Sequence, residues 1–525
     1  MKLSTLLQAC GYASEDFTSA LTAGLADMEV RAVTADSRKA GPGTMFVGLK
    51  GLQHDGSAFI PAAVLKGAAV VVEAGAPMLG EHCETDGQQR HGATHLRLPE
   101  PARFLARAAA LLAGKQPRHV VAITGTNGKS STADFLRQLW TLQGKAAASI
   151  GTLGLVTEAD VPPLPALTTP DAVSLADALA ALARAGVQHV ALEASSHGLV
   201  QHRLDGVQVT EGGFSNLTRD HLDYHGTLDA YREAKLHLFE DLLPPGSRAV
   251  INADMDPQTL AALRQSAKKR QLDLREVGEN GTTVRILSRR PLPQGQELHL
   301  ELEGEKLPPI FLPLTGAFQA DNALLAAALC WDTPSQAPAV LGLLSQLVGV
   351  PGRCERIASL PNSATAYVDY AHTPDALEHV LQSLRPHVTG KLIVVFGAGG
   401  DRDRGKRPLM GQVAAHLADV VIVTDDNPRT EDAASIRAEI LKACPQALEI
   451  GNRHDALQKA VNDLQAGDVL LVAGKGHEKG QIIGTTIHPF DDRALVRQFM
   501  QARSTPGPDT QQQAQTKQDG NEVRS

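Results

Sequence analysis

One stretch, Gly125-Thr126-Asn127-Gly128-Lys129-Ser130, narrows what this chain can fold into more than any other. It follows the apolar run His119-Val120-Val121-Ala122-Ile123, which reads as a buried parallel strand. It precedes a helical pattern with Phe135, Leu136, Leu139 and Leu142 on one face. A glycine-bearing turn between strand and helix leaves backbone N–H groups unpaired and converging at the positive end of a helix dipole, where a phosphate binds. Lys129 adds a mobile positive charge for the outer phosphates, and the Ser130 hydroxyl suits a magnesium ion. The pattern is shorter than the common phosphate loop, because Thr124 stands where a glycine four residues before Gly128 would be. A glycine-rich turn with a solvated lysine is the alternative; the strand before and the helix after favour a nucleoside triphosphate.

At 525 residues the chain exceeds what one core organises, and three domains of ordinary size are expected. A hydrophobic content of 43% with 21% charged residues is that of a globular protein. The formal net charge of −8, with no basic tract to offset it, argues against a nucleic-acid partner. Cys10, Cys83, Cys330, Cys354 and Cys444 are widely spaced, odd in number and without a CxxC, which fits buried thiols in a reducing compartment. The start MKLSTLLQAC is too short and polar for a secretory signal. No segment approaches the roughly 18 to 20 apolar residues of a membrane span. A cytoplasmic protein outside the membrane is expected.

Residues 1–115 alternate short strands and helices, such as Ile60 to Lys66 followed by Ala69 to Glu73. Here Asp36-Ser37-Arg38 and the Gly51 to Gly56 turn read first as turn chemistry and second as contacts to a small polar ligand. Residues 116–348 carry βα repeats that build a mostly parallel sheet. Ligands of such sheets sit beyond the carboxyl ends of strands. Val190-Ala191-Leu192 ends there in Glu193, either a magnesium ligand or a cap for the next helix. The loop LTRDHLDYHG, with His221, Asp223 and His225, lacks zinc spacing and reads as a polar active-site loop. In the helix Leu228 to Leu243 the stripe Leu228, Tyr231, Leu238, Leu242 takes in Lys235. A lysine there either snorkels to solvent or is buried with a lowered pKa and a reactive amine. A polar alternating stretch, Thr282 to Leu302, reads as hairpins, and an alanine-rich helix ends near Cys330.

Past the break at Gly349-Val350-Pro351-Gly352-Arg353, residues 349–503 read as a second doubly wound, Rossmann-like domain. Its strands are expected near 365–369, 391–396, 420–424 and 468–472. Three charged loops follow strand ends: Gly399 to Arg407, Asp425 to Arg429, and Gly474 to Glu478. Guanidinium forks and carboxylates on one edge suit a zwitterionic amino acid. Residues 504–525, rich in Pro, Gln, Asp and Gly, are expected to be a disordered tail.

The ordered set GTNGKS, LEASSHGLVQHR, FSNLTRDHLDYHG, YREAKLHLF, VDYAHTPDAL, FGAGGDRDRGKRPLM, TDDNPR and AGKGHE resembles the Mur ligases of bacterial peptidoglycan synthesis, and most of all those that add the third peptide residue. The likeness spans nearly the whole chain apart from the tail. It implies an ATP- and Mg2+-dependent amide synthase whose small-molecule substrates are UDP-N-acetylmuramoyl-L-alanyl-D-glutamate and an amino acid; a monomer is expected, though the resemblance does not supply it. By motif, Gly125 to Ser130 would bind ATP phosphates, and Ser130 with Glu193 one magnesium ion. His221 and Lys235, the latter as a carbamate, would support a second metal. The resemblance also places Asn322, Arg353 and Asp369 at the nucleotide, and Ser37 and Gln53 at the uridine nucleotide. It places Thr168, Thr169, Ser195, Gln201 and Arg203 at the muramoyl-peptide. Arg429 beside Asp426, Asn427 and Pro428, with Arg402, Gly474 and Glu478, resembles the form specific for meso-diaminopimelate. A lysine-adding or folyl-polyglutamate-type ligase on the same scaffold is the rival.

Overall fold

The computed structural model describes residues 1–12, 28–51, 54–86 and 89–504. Two compact units result: Met1–Arg285 with Leu302–Glu305 and Asp321–Leu343, and Ile286–Glu301 with Lys306–Ala320 and Leu344–Ser525. The fold is α/β, with sheets in N-terminal, central and C-terminal parts of the chain.

The first unit holds two sheets. β1 (Ala32–Thr34), β2 (Thr44–Val47), β3 (Val70–Ala74) and β5 (Gln89–Leu98) are parallel, and β4 (Met78–Asp86) runs antiparallel on the β5 edge. The second is built on β6 (His119–Thr124), β7 (Ala147–Gly151), β8 (Gly154–Thr157), β9 (His189–Glu193), β10 (Glu211–Phe214), β11 (Arg248–Asn252) and β12 (Asp273–Gly278). Their order is β12-β11-β10-β6-β9-β7-β8, all parallel except β8. β6 is central, and Val120, Val121, Ala122 and Ile123 are each 0% exposed, as a strand covered by helices on both faces requires. The register sets Ile123 opposite Glu193, so the strand ends that carry Gly125 and Glu193 are neighbours.

The stretch read as hairpins forms β13 (Val284–Leu292) and β14 (Gly295–Leu302), which neighbours β15 (Glu305–Lys306), with β16 (Ile310–Leu312) antiparallel to β14. In the second unit β17 (Glu355–Ser359), β18 (Thr365–Asp369), β19 (Leu392–Phe396), β20 (Val420–Val423), β21 (Leu448–Glu449) and β22 (Val469–Ala473) order as β17-β18-β22-β19-β20-β21, with only β17 antiparallel.

Two details differ from the sequence reading. Leu142 and Leu228 are 39% and 38% exposed, because each sits at a helix end, where the stripe runs past the packed surface. The helix expected over Leu228 to Leu243 is α-helical over Leu228–His237 and widens to a π-turn over Leu238–Leu242. Asp36 caps a short turn: its carboxylate accepts from the Arg38 N–H at 2.9 Å and from the Arg38 guanidinium. The favoured turn reading of that motif is what the geometry shows. Gln53 and residues 505–525 lie outside the described residues, as do the side chains of Cys83 and Asp223. The other four cysteines are free, buried thiols. Among the described residues no helix is long and apolar enough to cross a membrane.

Candidate active site

The phosphate loop is built from backbone that only glycine tolerates. Gly125 (φ +141°) and Gly128 (φ +85°) are both left-handed. A Cβ would stand 2.0 Å from Ser215 Oγ at Gly125 and 2.2 Å from Asn322 Oδ1 at Gly128. Gly128 opens the helix Lys129–Leu142, so its first N–H groups face the loop. The end of β10 latches the loop from the side. Asn216 O accepts from Thr126 N at 2.9 Å, Asn216 Oδ1 from Asn127 N at 2.9 Å, and Ser215 Oγ donates to Asn127 O at 2.5 Å. Lys129 Nζ folds back onto Gly125 O (2.9 Å) and Thr126 O (2.8 Å), within reach of an anion held by the loop.

Lys235 is 1% exposed and does not snorkel. Its Nζ donates to Gly125 O at 2.8 Å and lies 4.4 Å from the Tyr231 ring centroid. Burial first, and the Lys129 charge second, push its pKa well below the usual lysine range; Asp220 opposes them weakly. The helix bearing it is capped by Thr227, whose Oγ1 accepts from Ala230 N at 3.1 Å.

Glu193 is 2% exposed, and Thr152 holds it: Thr152 N donates to Oε1 at 2.8 Å and Thr152 Oγ1 to Oε2 at 3.2 Å. Gly151 leaves room for that carboxylate, since a Cβ there would stand 2.0 Å from Oε1. The cap of the next helix, Ser196–Val200, is Ser195 rather than Glu193. Thr168 Oγ1 lies 3.1 Å from Thr152 Oγ1. Thr169 Oγ1 joins Glu193 O, Ser195 N and Ser195 Oγ within 3.0 Å. Arg203 donates to Thr169 O at 2.6 Å and to Gln201 Oε1 at 2.7 Å. Thus Glu193, Thr168, Thr169, Ser195, Gln201 and Arg203 form one connected group. His221 is a half-exposed ring, 4.9 Å from the His197 ring and 6.3 Å from that of Tyr231. Asn322 is buried, and its Oδ1 accepts from Thr132 Oγ1 at 3.4 Å. Earlier in the chain, a cavity of about 500 Å³ in the N-terminal sheet region is lined by Gly48, Lys50, Asp55, Ser57, Glu73 and Arg97, and Ser37 is not part of its lining.

In the second unit the strand-end loops also lock together. Lys475, 0% exposed, donates to Asn427 Oδ1 at 3.0 Å and Glu478 Oε2 at 3.1 Å, and Asn427 Nδ2 reaches the same Glu478 oxygen at 3.0 Å. Gly474 (φ +113°) leaves room for Asp426, whose Oδ2 would be 2.5 Å from a Cβ. Arg429 is left-handed (φ +52°), and its Nη1 donates to Gly400 O at 2.7 Å, while Pro428 is buried and Arg402 exposed. Arg353 lies over the Tyr370 ring at 4.7 Å. Asp369 accepts from Cys354 N at 2.6 Å and Ala371 N at 2.7 Å; burial raises its pKa against these bonds and the Arg353 charge. Sequence reasoning did not single out Thr152, Gly151, Ser215, Asn216 or Lys475 as site residues. The available signal was position alone: each follows an apolar strand at its carboxyl end.

Ser130, 8% exposed, and the buried Glu193 carboxylate offer hard oxygen donors beside the phosphate loop, the donor chemistry magnesium takes. A glycine loop on a parallel sheet, a buried carboxylate at the neighbouring strand end and a second doubly wound domain define a phosphate-loop nucleotide-binding enzyme. The chain belongs to the Mur ligase family. The Mur ligase family catalytic domain matches residues 29–112, the Mur ligase middle domain 123–330 and the Mur ligase glutamate ligase domain 352–476. The UDP-N-acetylmuramoyl-L-alanyl-D-glutamate–2,6-diaminopimelate ligase of Caulobacter vibrioides is 51% identical over 482 residues, 90% of this chain and 96% of that one. A solved structure of a ligase of the same name is 34% identical, with a TM-score of 0.64 over 91% of this chain and 96% of that one. The MurF ligase of Thermotoga maritima in complex with ADP, 18% identical, shares the fold with a TM-score of 0.58 over 91% of this chain and 99% of that one. The chain is an ATP-dependent amide ligase.

Proposed function

We propose that the chain joins meso-diaminopimelate to the D-glutamate side-chain carboxylate of UDP-N-acetylmuramoyl-L-alanyl-D-glutamate, in peptidoglycan precursor synthesis. The observation that carries this reading is the 51% identity to the Caulobacter ligase across 90% of the chain. A carboxylate is a poor electrophile, so it takes the ATP γ-phosphoryl group first, giving ADP and an acyl phosphate. The amine then attacks the carbonyl carbon, loses a proton, and phosphate leaves from the tetrahedral intermediate. Residues Gly125 to Ser130 orient the triphosphate, and Lys129 leaves its two loop carbonyls to meet the outer phosphates. Ser130 and Glu193 would hold magnesium, which when bound neutralises charge on the transferring group.

Lys235 is placed to become a carbamate. Burial disfavours the charged form of its amine; the free amine adds to CO2 and releases one proton, and the product is an anion able to support a second metal with His221. Asn322, Arg353 and Asp369 serve the nucleotide, and Ser37 with Gln53 the uridine end. Thr168, Thr169, Ser195, Gln201 and Arg203 serve the muramoyl-peptide. Arg429 forks onto the distal carboxylate of diaminopimelate, with Arg402, Asp426, Asn427, Pro428, Gly474 and Glu478 around it. The domains are 1–115, 116–348 and 349–503, and the protein works as a cytoplasmic monomer; light scattering at twice the chain mass would overturn the last point.

The test measures ADP release with the muramoyl dipeptide and either meso-diaminopimelate or L-lysine. Diaminopimelate should be preferred, since lysine lacks the carboxylate that pairs Arg429. Preference for lysine overturns the reading. Arg429→Lys should raise the KM for diaminopimelate about ten- to a hundredfold, because a point charge does not replace a two-pronged donor; an unchanged KM removes Arg429 from the site.

A further inference from the structure

Away from the phosphate loop, the turn after Ser196–Val200 meets the far end of the helix that carries Lys235. Asp205, whose side chain is 1% exposed, lies between two imidazoles there: His202 Nδ1 is 3.3 Å from both of its oxygens, and His237 Nε2 is 3.5 Å from Oδ1. One ligand atom from each of the three residues can be chosen so that all lie within 4.8 Å of one another, close enough for a single ion to touch all three. The outer contacts are arranged as metal sites arrange theirs. Asp241 Oδ2 lies 2.7 Å from His237 Nδ1 and can hold a proton there, so that Nε2, which faces Asp205 at 3.5 Å, is the nitrogen that would exchange its proton for an ion. Arg103 Nε lies 3.0 Å from Asp205 Oδ2 and leaves Oδ1 to face both rings. Two imidazole nitrogens and one carboxylate oxygen form a donor set for zinc-class ions, whereas magnesium prefers oxygen alone.

We propose that His202, Asp205 and His237 bind one zinc-class divalent ion, with water completing the shell, at a site separate from the catalytic metals. Two imidazoles turned onto one buried carboxylate, with one ring held by a second carboxylate, are the geometry on which this assignment rests. The ion ties the segment carrying Ser195, Gln201 and Arg203 to the helix carrying Lys235, so it stiffens two elements of the active site at once.

The experiment uses the full-length chain without a histidine tag, stripped of metal, with Mg2+ in excess so that oxygen-rich sites stay filled. Titration with Zn2+ should show one tight equivalent and a raised unfolding midpoint, and Co2+ should give the visible absorption of a four-coordinate ion. His202→Asn and His237→Gln should each lose that equivalent while retaining ADP binding, which reports the fold. Asp241→Asn should weaken it about tenfold or more without abolishing it. If either histidine variant fails to fold, Arg103→Gln decides: removing the competing cation should leave zinc binding intact or tighter. No tight equivalent in the wild type, unchanged binding in either folded histidine variant, or loss of binding in Arg103→Gln overturns the assignment.

Discussion

Lys235 sits where a lysine is costly, and the direction of that cost can be measured. Its pKa falls from an ordinary value near 10.5, so between the folded and unfolded values the native state binds fewer protons than the unfolded chain. Stability from this group therefore rises with pH through that window, and at neutral pH the side chain is a burden. Lys235→Met should abolish most turnover yet leave the unfolding midpoint equal or higher at pH 7. A marked fall in the midpoint would show that its bond to Gly125 O outweighs burial. Gly151 is the second residue to test, since a methyl group there meets Glu193 Oε1 at 2.0 Å. Gly151→Ala should raise the Mg2+ concentration needed for half-maximal ATP turnover about tenfold, consistent with loss of one oriented ligand. An unchanged magnesium dependence would separate Glu193 from the metal. The anomaly at Lys235 was visible as a break in a helical stripe. The importance of Gly151 was not, because its reason is a contact with a residue forty-two positions away.

Among the elements, parallel strands were the most legible. Those expected near 365–369, 391–396, 420–424 and 468–472 form as Thr365–Asp369, Leu392–Phe396, Val420–Val423 and Val469–Ala473. A strand buried on both faces is a continuous apolar run bounded by polar turns, and its ends are marked twice. The π-turn after His237 was not legible, because an apolar stripe reports which side is buried and not which carbonyl each N–H reaches. Nor was the pair that joins the last two long helices. The side chains of Arg453 and Asp492 are both 0% exposed and meet through two hydrogen bonds, at 2.8 and 2.7 Å. Asp492→Asn should cost about 3–5 kcal/mol by leaving a guanidinium buried without its partner, and Arg453→Met with Asp492→Leu should recover most of it. Chemical denaturation of the three proteins checks both statements; an additive double variant would show that the two side chains are independent.

At the scale of the molecule, the phosphate loop and the charged strand-end loops of the amino-acid site belong to different compact units, so each of the two ligands should leave its own protection pattern on these loops. A nonhydrolysable ATP analogue with Mg2+ should slow amide hydrogen exchange at residues 125–130 and 151–152. Diaminopimelate should slow it at 425–429 and 474–478. Protection of the first set by diaminopimelate alone, with none in the second, would move the amino-acid site out of the C-terminal loops. The sequence by itself determined the fold class, the strand ends proposed to bear ligands, and the family, because apolar periodicity, glycine turns and ordered motifs are local signals. Tertiary structure alone decided that Lys235 is sealed on the Gly125 carbonyl, that Thr152 aims Glu193, and that Lys475 fastens Asn427 to Glu478. Each of these joins residues of different loops or elements, and no local pattern encodes a distance across the fold.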